Sequence, residues 1–268
     1  MGPPAPGGLV STPEPGGAEL LRVAEAAARA AAPELVERFT RGAVNVTSKS
    51  TETDLVSEAD LAAERTIRAL LGRERPDDAI MGEEGDDTPG TTGLRWIVDP
   101  LDGTINYLYG LPQWCVSVAC EGRAGVILDP LADELWAVAA GGQPTCNGAP
   151  LRRPERPDAL GGALVGTGFG YATEIRAAQA ALATRVLPAV RDIRRAGSAA
   201  LDLAWVAAGR LDAYYEHGVK AWDIAAGVLL CEAAGLRVTP LAGGDGLPPG
   251  ILAARPALHD ELLALVGR

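Results

Sequence analysis

The sequence is poor in histidine and in positive charge. Its 268 residues include two histidines, His217 and His259. That excludes a three-histidine zinc centre and a His-x-x-x-His helix, and leaves a Ser-His-Asp triad one of two possible bases. Lys and Arg number 24 against 35 Asp and Glu, a net charge of −11. A general nucleic-acid binder needs clustered basic residues to neutralise phosphates, and an anionic membrane surface asks the same. The four cysteines, Cys115, Cys120, Cys146 and Cys231, form no C-x-x-C pair. A chain of this size needs no disulfide staples, so reduced cysteines in a cytoplasmic protein are expected. No apolar run reaches the roughly 20 residues that span a bilayer. Residues 1–17 hold ten Gly or Pro, with neither a basic start nor an apolar stretch. They read as a disordered tail rather than a signal peptide.

Hydrophobic residues make up 47% of the chain, enough for a substantial core. The pattern predicts an Ala-rich helix over 18–39, bent at Pro33, and a second over 57–71 with Ser57 as N-cap. A short strand over 79–81 runs into Gly82-Glu83-Glu84, and 86–93 reads as a mobile loop. The continuous apolar strand 94–98 should be buried on both faces and stop at Asp99-Pro100. Strands over 114–120, 125–128 and 134–139 suggest antiparallel hairpins. The Gly-, Pro- and Arg-rich stretch 141–158 marks a boundary, which divides the chain into a tail (1–17), an α+β lobe (18–148) and an α/β lobe (149–268). In the last of these, strands 163–167, 192–195, 211–216, 236–239 and 251–253 alternate with helices 173–187, 198–208, 221–234 and 257–266. That alternation argues for layered α/β structure. His259 falls on the polar side of the last helix and is expected to be structural.

The acid excess concentrates in a few places. In Trp96-Ile-Val-Asp-Pro-Leu-Asp-Gly-Thr104 a buried strand ends at Asp99, Asp102 follows, and Gly103-Thr104 opens a short helix over 104–109. Two carboxylates on one turn beside a buried strand are costly unless positive charge lies between them. A divalent metal is the usual solution, and all-oxygen ligands favour Mg²⁺ over Zn²⁺. Amides at the helix start suit a phosphate. The same residues also suit an ordinary Asx turn capping a helix. Glu83 and Glu84 could equally be a solvated loop, and Asp223 a helix N-cap. The run Gly166-Thr-Gly-Phe-Gly170 lacks dinucleotide-binding spacing and reads as a turn near a pocket rim.

Together, GEE at 82–84, DPLDGT at 99–104 and WDIAAG at 222–227 resemble the motifs of the inositol monophosphatase family, Mg²⁺-dependent and lithium-sensitive phosphomonoesterases. Residues 49–60 (KSTETDLVSEAD), 194–203 (RRAGSAALDL) and 211–216 (LDAYYE) resemble further family segments, and the likeness covers roughly 18–268. The resemblance implies a layered αβαβα sandwich of two packed lobes, two or three Mg²⁺ per subunit, and a homodimer. It implies that Glu83, Asp99 and the Leu101 carbonyl hold one metal, and Asp99, Asp102 and Asp223 a second. A third, weaker metal would lie near Glu83. Thr104, paired with Asp60, would orient the attacking water. The Gly103 and Thr104 amides would bind phosphate. Gly197, Ser198, Ala199 and Glu216 would contact the ring of a phosphorylated polyol or sugar. Lys49 and Glu84 match positions near the metals.

The substrate is narrowed only in part. Ile105-Asn106-Tyr107 after the motif resembles inositol phosphatases and fructose-bisphosphatases more than relatives acting on histidinol phosphate or adenosine 3′,5′-bisphosphate. Tyr214-Tyr215-Glu216 leans toward inositol. Lys220 stands two residues before Trp222, where many animal members have His. It either favours a second anionic group or is a solvated side chain at a helix start. The leading expectation is hydrolysis of myo-inositol 1-phosphate, with the other esters as alternatives. A regulatory binding protein of this fold is a further alternative, since some bacterial relatives act on the transcription machinery.

Overall fold

The computed structural model describes residues 16–41, 46–48, 55–156 and 158–267. Most of the expected tail, Lys49 and the side chain of Ser57 lie outside what is described. α1 (Gly17–Arg41) runs on through Pro33. A ribbon of β1 (Val46–Ser48) and β2 (Leu55–Ser57) leads into α2 (Glu58–Glu74). β3 (Ala79–Gly82) pairs in parallel with β4 (Arg95–Asp102), which is followed by the short α3 (Thr104–Leu108). β5 (Cys115–Cys120), β6 (Ala124–Asp129), β7 (Glu134–Ala139), β8 (Thr145–Cys146) and β9 (Ala149–Pro150) complete a seven-stranded sheet in chain order, antiparallel from β4 onward. The second sheet holds β10 (Leu164–Thr167), β11 (Asp192–Arg194), β12 (Ala213–His217), β13 (Arg237–Leu241) and β14 (Gly250–Ala254), in the order β11-β10-β12-β14-β13. Its helices are α4 (Thr173–Val186), α5 (Ala199–Ala208), α6 (Ala221–Ala233) and α7 (Pro256–Val266).

Side chains alternate across a strand, so each buried strand feeds two cores. Trp96, Val98, Val116, Val118 and Val126 of the first sheet face the alanines of α1 and the apolar stripe of α2. Ala119, Ile127 and Trp136 point the other way, onto α5 and α6. Tyr214, Ile251 and Ala253 of the second sheet meet those helices from the far side. Its outer face, with Val165, Tyr215 and Leu252, packs on α4 and α7. The layers are therefore αβαβα. Small residues bring the middle helices close. A Cβ on Gly227 would lie 2.5 Å from Leu203 Cβ, so the glycine of the 222–227 motif lets α6 lie against α5.

Four local expectations are corrected. β4 continues past Asp99 to Asp102 because a bulge absorbs the turn, and Pro100 sits in it, where its missing N–H matters least. The 86–93 segment, expected to be mobile, is pinned: Thr88 pairs with Ile80, and the Thr91 N–H donates to the Asp77 carbonyl at 2.8 Å. The 141–158 stretch contains β8 and β9, too short and too polar to show a period. His259 is fully buried rather than on a polar face. Its Nε2 lies 2.9 Å from Thr239 Oγ1 and its Nδ1 3.1 Å from Asp260, which satisfies the ring inside the core and keeps its role structural. Among the described residues no helix is long and apolar enough to cross a membrane.

Candidate active site

A cavity of about 590 Å³ opens between the two sheets. Glu83, Asp99, Leu101, Asp102, Gly103, Thr104, Gly197, Ala199, Glu216 and Asp223 all line it, drawn from segments far apart in the chain.

The centre of the site is the bulge in β4. Asp99 pairs with Ser117 and Asp102 with Cys115, so three steps along β4 match two along β5. Residues three apart on a regular strand face opposite ways. The extra residue reverses that parity and turns both carboxylates into the cavity. Asp99 is 1% exposed, and its Oδ1 accepts the Leu101 N–H at 3.0 Å. The Asx turn is thus present, and it occupies only one oxygen. Gly103 follows with φ +100°, in the left-handed region, and a Cβ there would lie 2.7 Å from the Gln113 carbonyl. Only glycine fits the corner. α3 is anchored from below by Tyr107, whose OH donates to the Leu35 carbonyl at 2.8 Å and whose ring stacks edge-on against Trp114 at 5.1 Å.

The Thr104 hydroxyl lies 3.0 Å from the Leu101 carbonyl and 3.4 Å from Asp60 Oδ2, and its single proton serves one of them at a time. Asp60 is buried in the first turn of α2, behind Thr104 rather than on the cavity wall. Ser198, expected at the substrate ring, is also set back. It is 1% exposed, and its hydroxyl donates to Asp102 Oδ2 at 2.6 Å, so its side chain orients Asp102 instead of facing the cavity. The Ala200 N–H donates to the same oxygen at 2.6 Å. Asp223, in the first turn of α6, accepts the Lys220 N–H at 2.6 Å, so it is the N3 acid that reaches back to the N-cap rather than the N-cap itself, which is Lys220. Lys220 lines the rim and is exposed, which suits both readings of that residue. Glu216 accepts the Tyr214 hydroxyl at 2.6 Å. Of the run 166–170, read as a turn, Gly166 and Thr167 belong to β10, and Gly168 to Gly170 line the cavity.

Burial and mutual repulsion act together on these acids. Burial, then the charges of Glu83, Asp102, Asp223 and Asp60, hold the Asp99 carboxyl well above the usual range. Burial, then Asp102, pushes Asp223 up to about 7. Burial also raises Glu216 to about 7, although Tyr214 and Arg195 favour its charged form. Burial raises Asp102 as well, against the bonds from Ser198 and Ala200. Among the described residues, the cationic side chains lining the cavity with these acids are Arg195 and Lys220.

Two contributing residues were not anticipated. Glu64, 2% exposed on α2, accepts the Glu84 N–H at 2.7 Å and the Gly85 N–H at 2.9 Å, and is ion-paired with Arg68. It fixes the loop that carries Glu83. The signal was its position four residues after Asp60, on the same helical face. Replacing Glu64 by Gln leaves one loop amide without its anionic acceptor. We expect the metal concentration giving half-maximal activity to rise about tenfold, read from a metal titration of the rate. Asp202 is a lone acid on the otherwise apolar α5, 1% exposed. Burial, then Glu216 and Asp102, hold its carboxyl well above the usual range.

Acids gathered in one cavity of a layered αβαβα fold suit a phosphatase. The family model described as the inositol monophosphatase family matches residues 17–268, and the chain belongs to that family. It is 46% identical over 238 residues to inositol-1-monophosphatase SuhB of Mycobacterium tuberculosis (strain ATCC 25618 / H37Rv), covering 83% of this chain and 81% of that one. It is 39% identical to Nus factor SuhB of Pasteurella multocida (strain Pm70), covering 91% and 94%. The crystal structure of extragenic suppressor protein suhB from Bartonella henselae superposes with a TM-score of 0.84 at 34% identity, covering 93% and 98%.

Proposed function

We propose that the protein hydrolyses myo-inositol 1-phosphate to inositol and phosphate with Mg²⁺. The observation that carries this is the convergence of Glu83, Asp99, Asp102 and Asp223 on one cavity, with Asp60 behind Thr104, so that Asp99 feels all four other acids. The donor set suits a hard cation: carboxylates and the Leu101 carbonyl, with no histidine or exposed thiol among them. Among the described residues no three His, Cys, Asp or Glu side chains stand together in metal-holding geometry. Glu83, Asp99 and the Leu101 carbonyl would hold one ion; Asp99, Asp102 and Asp223 a second; and Glu83 would help to hold a third, weaker one. When bound, such ions offset phosphate charge and make water more acidic.

The remaining work falls to the chain itself. The Thr104 Oγ1 accepts a hydrogen bond from the attacking water while its own proton turns to Asp60 Oδ2, the carboxylate that would take up the proton released. The Gly103 and Thr104 amides donate to phosphate oxygens. Ser198 keeps Asp102 oriented. Glu216, with Oε2 held by Tyr214, presents Oε1 to ring hydroxyls between the Gly197 and Ala199 walls. The relative named inositol-1-monophosphatase supports the substrate. A panel of inositol 1-phosphate, fructose 1,6-bisphosphate, histidinol phosphate and adenosine 3′,5′-bisphosphate tests it. Fastest phosphate release from inositol 1-phosphate is expected, and a fastest rate on histidinol phosphate overturns the reading.

Relatives named Nus factor SuhB favour a second, regulatory role. Retention of all five motif acids argues that any such role accompanies catalysis rather than replacing it.

A further inference from the structure

The cavity has a second wall that the phosphatase chemistry does not use. It is the 168–172 turn between β10 and α4, with Ile175 beside it, facing the end of β12. The turn passes directly over Glu216: a Cβ on Gly168 would collide with the Glu216 carboxylate. What sets this spacing is a buried side chain behind the wall. Gln179, on α4 and 3% exposed, accepts the Gly170 N–H on Oε1 at 2.8 Å. Its Nε2 donates to the His217 carbonyl at 2.8 Å. His217 is held in turn, with Nδ1 2.8 Å from the Pro248 carbonyl and Nε2 3.3 Å from the Val266 carbonyl. Gln179 thus ties the rim turn to a fixed point one residue beyond Glu216. A primary amide accepts and donates at once without carrying charge, which a carboxylate or an apolar side chain of that length cannot do.

We propose that Gln179 is a positioning residue for substrate selectivity: it fixes the gap between the 168–172 turn and Glu216, and so selects for the ring of the substrate rather than for its phosphate. Gln179 does not line the cavity and touches none of the acids around Asp99. Its loss should therefore widen the ring end and leave the phosphate end unchanged. The inference rests on the reading that Glu216 faces the ring.

The test compares KM and kcat of the Mg²⁺-loaded full chain on inositol 1-phosphate and on glycerol 2-phosphate, an ester without a ring. In Q179L both bonds are lost. We expect KM for the ring ester to rise about tenfold. Its kcat should stay within about twofold, and kcat/KM on glycerol 2-phosphate should not change. Q179E keeps the Gly170 bond but cannot donate to His217 when ionised, and should fall between Q179L and the parent. An unchanged ratio of the two kcat/KM values in folded Q179L overturns the proposal, whether both esters suffer alike or neither does. If Q179L does not fold, Q179E is judged by the same ratio; failure of both to fold shows a purely structural residue and overturns it too. The substrate reading fails separately. If the parent enzyme does not prefer inositol 1-phosphate, the ratio is taken with its best ring ester instead.

Discussion

Replacing Asp99 by Asn is expected to abolish Mg²⁺-dependent phosphate release, by at least about a thousandfold, while the fold survives. The Asn Oδ1 can still accept the Leu101 N–H, so the turn in β4 keeps its bond. What disappears is the charge shared by both proposed metal positions. That charge is also a burden on the metal-free protein, since Asp99 is buried and repelled by Glu83, Asp102, Asp223 and Asp60. The variant should therefore melt no lower than the parent in EDTA, and higher if the repulsion is felt. Loss of activity with retained or raised Tm separates a functional acid from a structural one. Turnover near that of the parent would mean that Asp99 holds no metal.

Burial of these acids, with their repulsion, makes metal-free stability depend on pH in an unusual direction. Glu216 and Asp223 titrate near 7 in the folded protein, and Asp99 is raised too. In the unfolded chain such groups titrate near about 4. Between those values the folded state holds protons that the unfolded state has released. Stability from Glu216 and Asp223 is therefore full below about pH 4, declines as pH rises toward about 7, and is flat above that, and Asp99 adds a decline of the same sign. Asp78 behaves oppositely: burial alone would raise it, but bonds from Arg75, Thr92 and Trp96 outweigh burial and lower it. Its contribution is lost only at more acidic pH, outside this window. In EDTA the Tm should be about 5 °C or more lower at pH 8 than at pH 5.5. Excess Mg²⁺ should raise the Tm more at pH 8, where protons compete less for the same oxygens. A metal-free Tm equal at the two pH values would contradict the clustering of these acids.

Most of the residues that line the cavity were legible in the sequence because each motif is short and keeps its residues together wherever it folds. DPLDGT carries two carboxylates, a left-handed glycine and a hydroxyl within six residues. The strands and helices were legible from their periods, and the buried β4 from its unbroken apolar run. What was not legible depends on pairing between distant segments. Strict alternation would put Asp99 and Asp102 on opposite faces, and only the register against β5 shows the bulge that unites them. Ser198 belongs to Asp102, 96 residues away. Glu64 looked like any helix acid until the loop amides of Glu84 and Gly85 were found on it. His259 read as polar surface because nothing nearby in sequence reveals that β13 covers it with Thr239.

In the proposed function the acids around Asp99 act through a divalent ion to release phosphate from a polyol ester. A titration of Mg²⁺ into EDTA-treated protein, with phosphate release from inositol 1-phosphate as the readout, tests it most directly. The expected result is no release above background without metal and a saturable rise as Mg²⁺ is added. Equal rates in EDTA and in Mg²⁺ would contradict it.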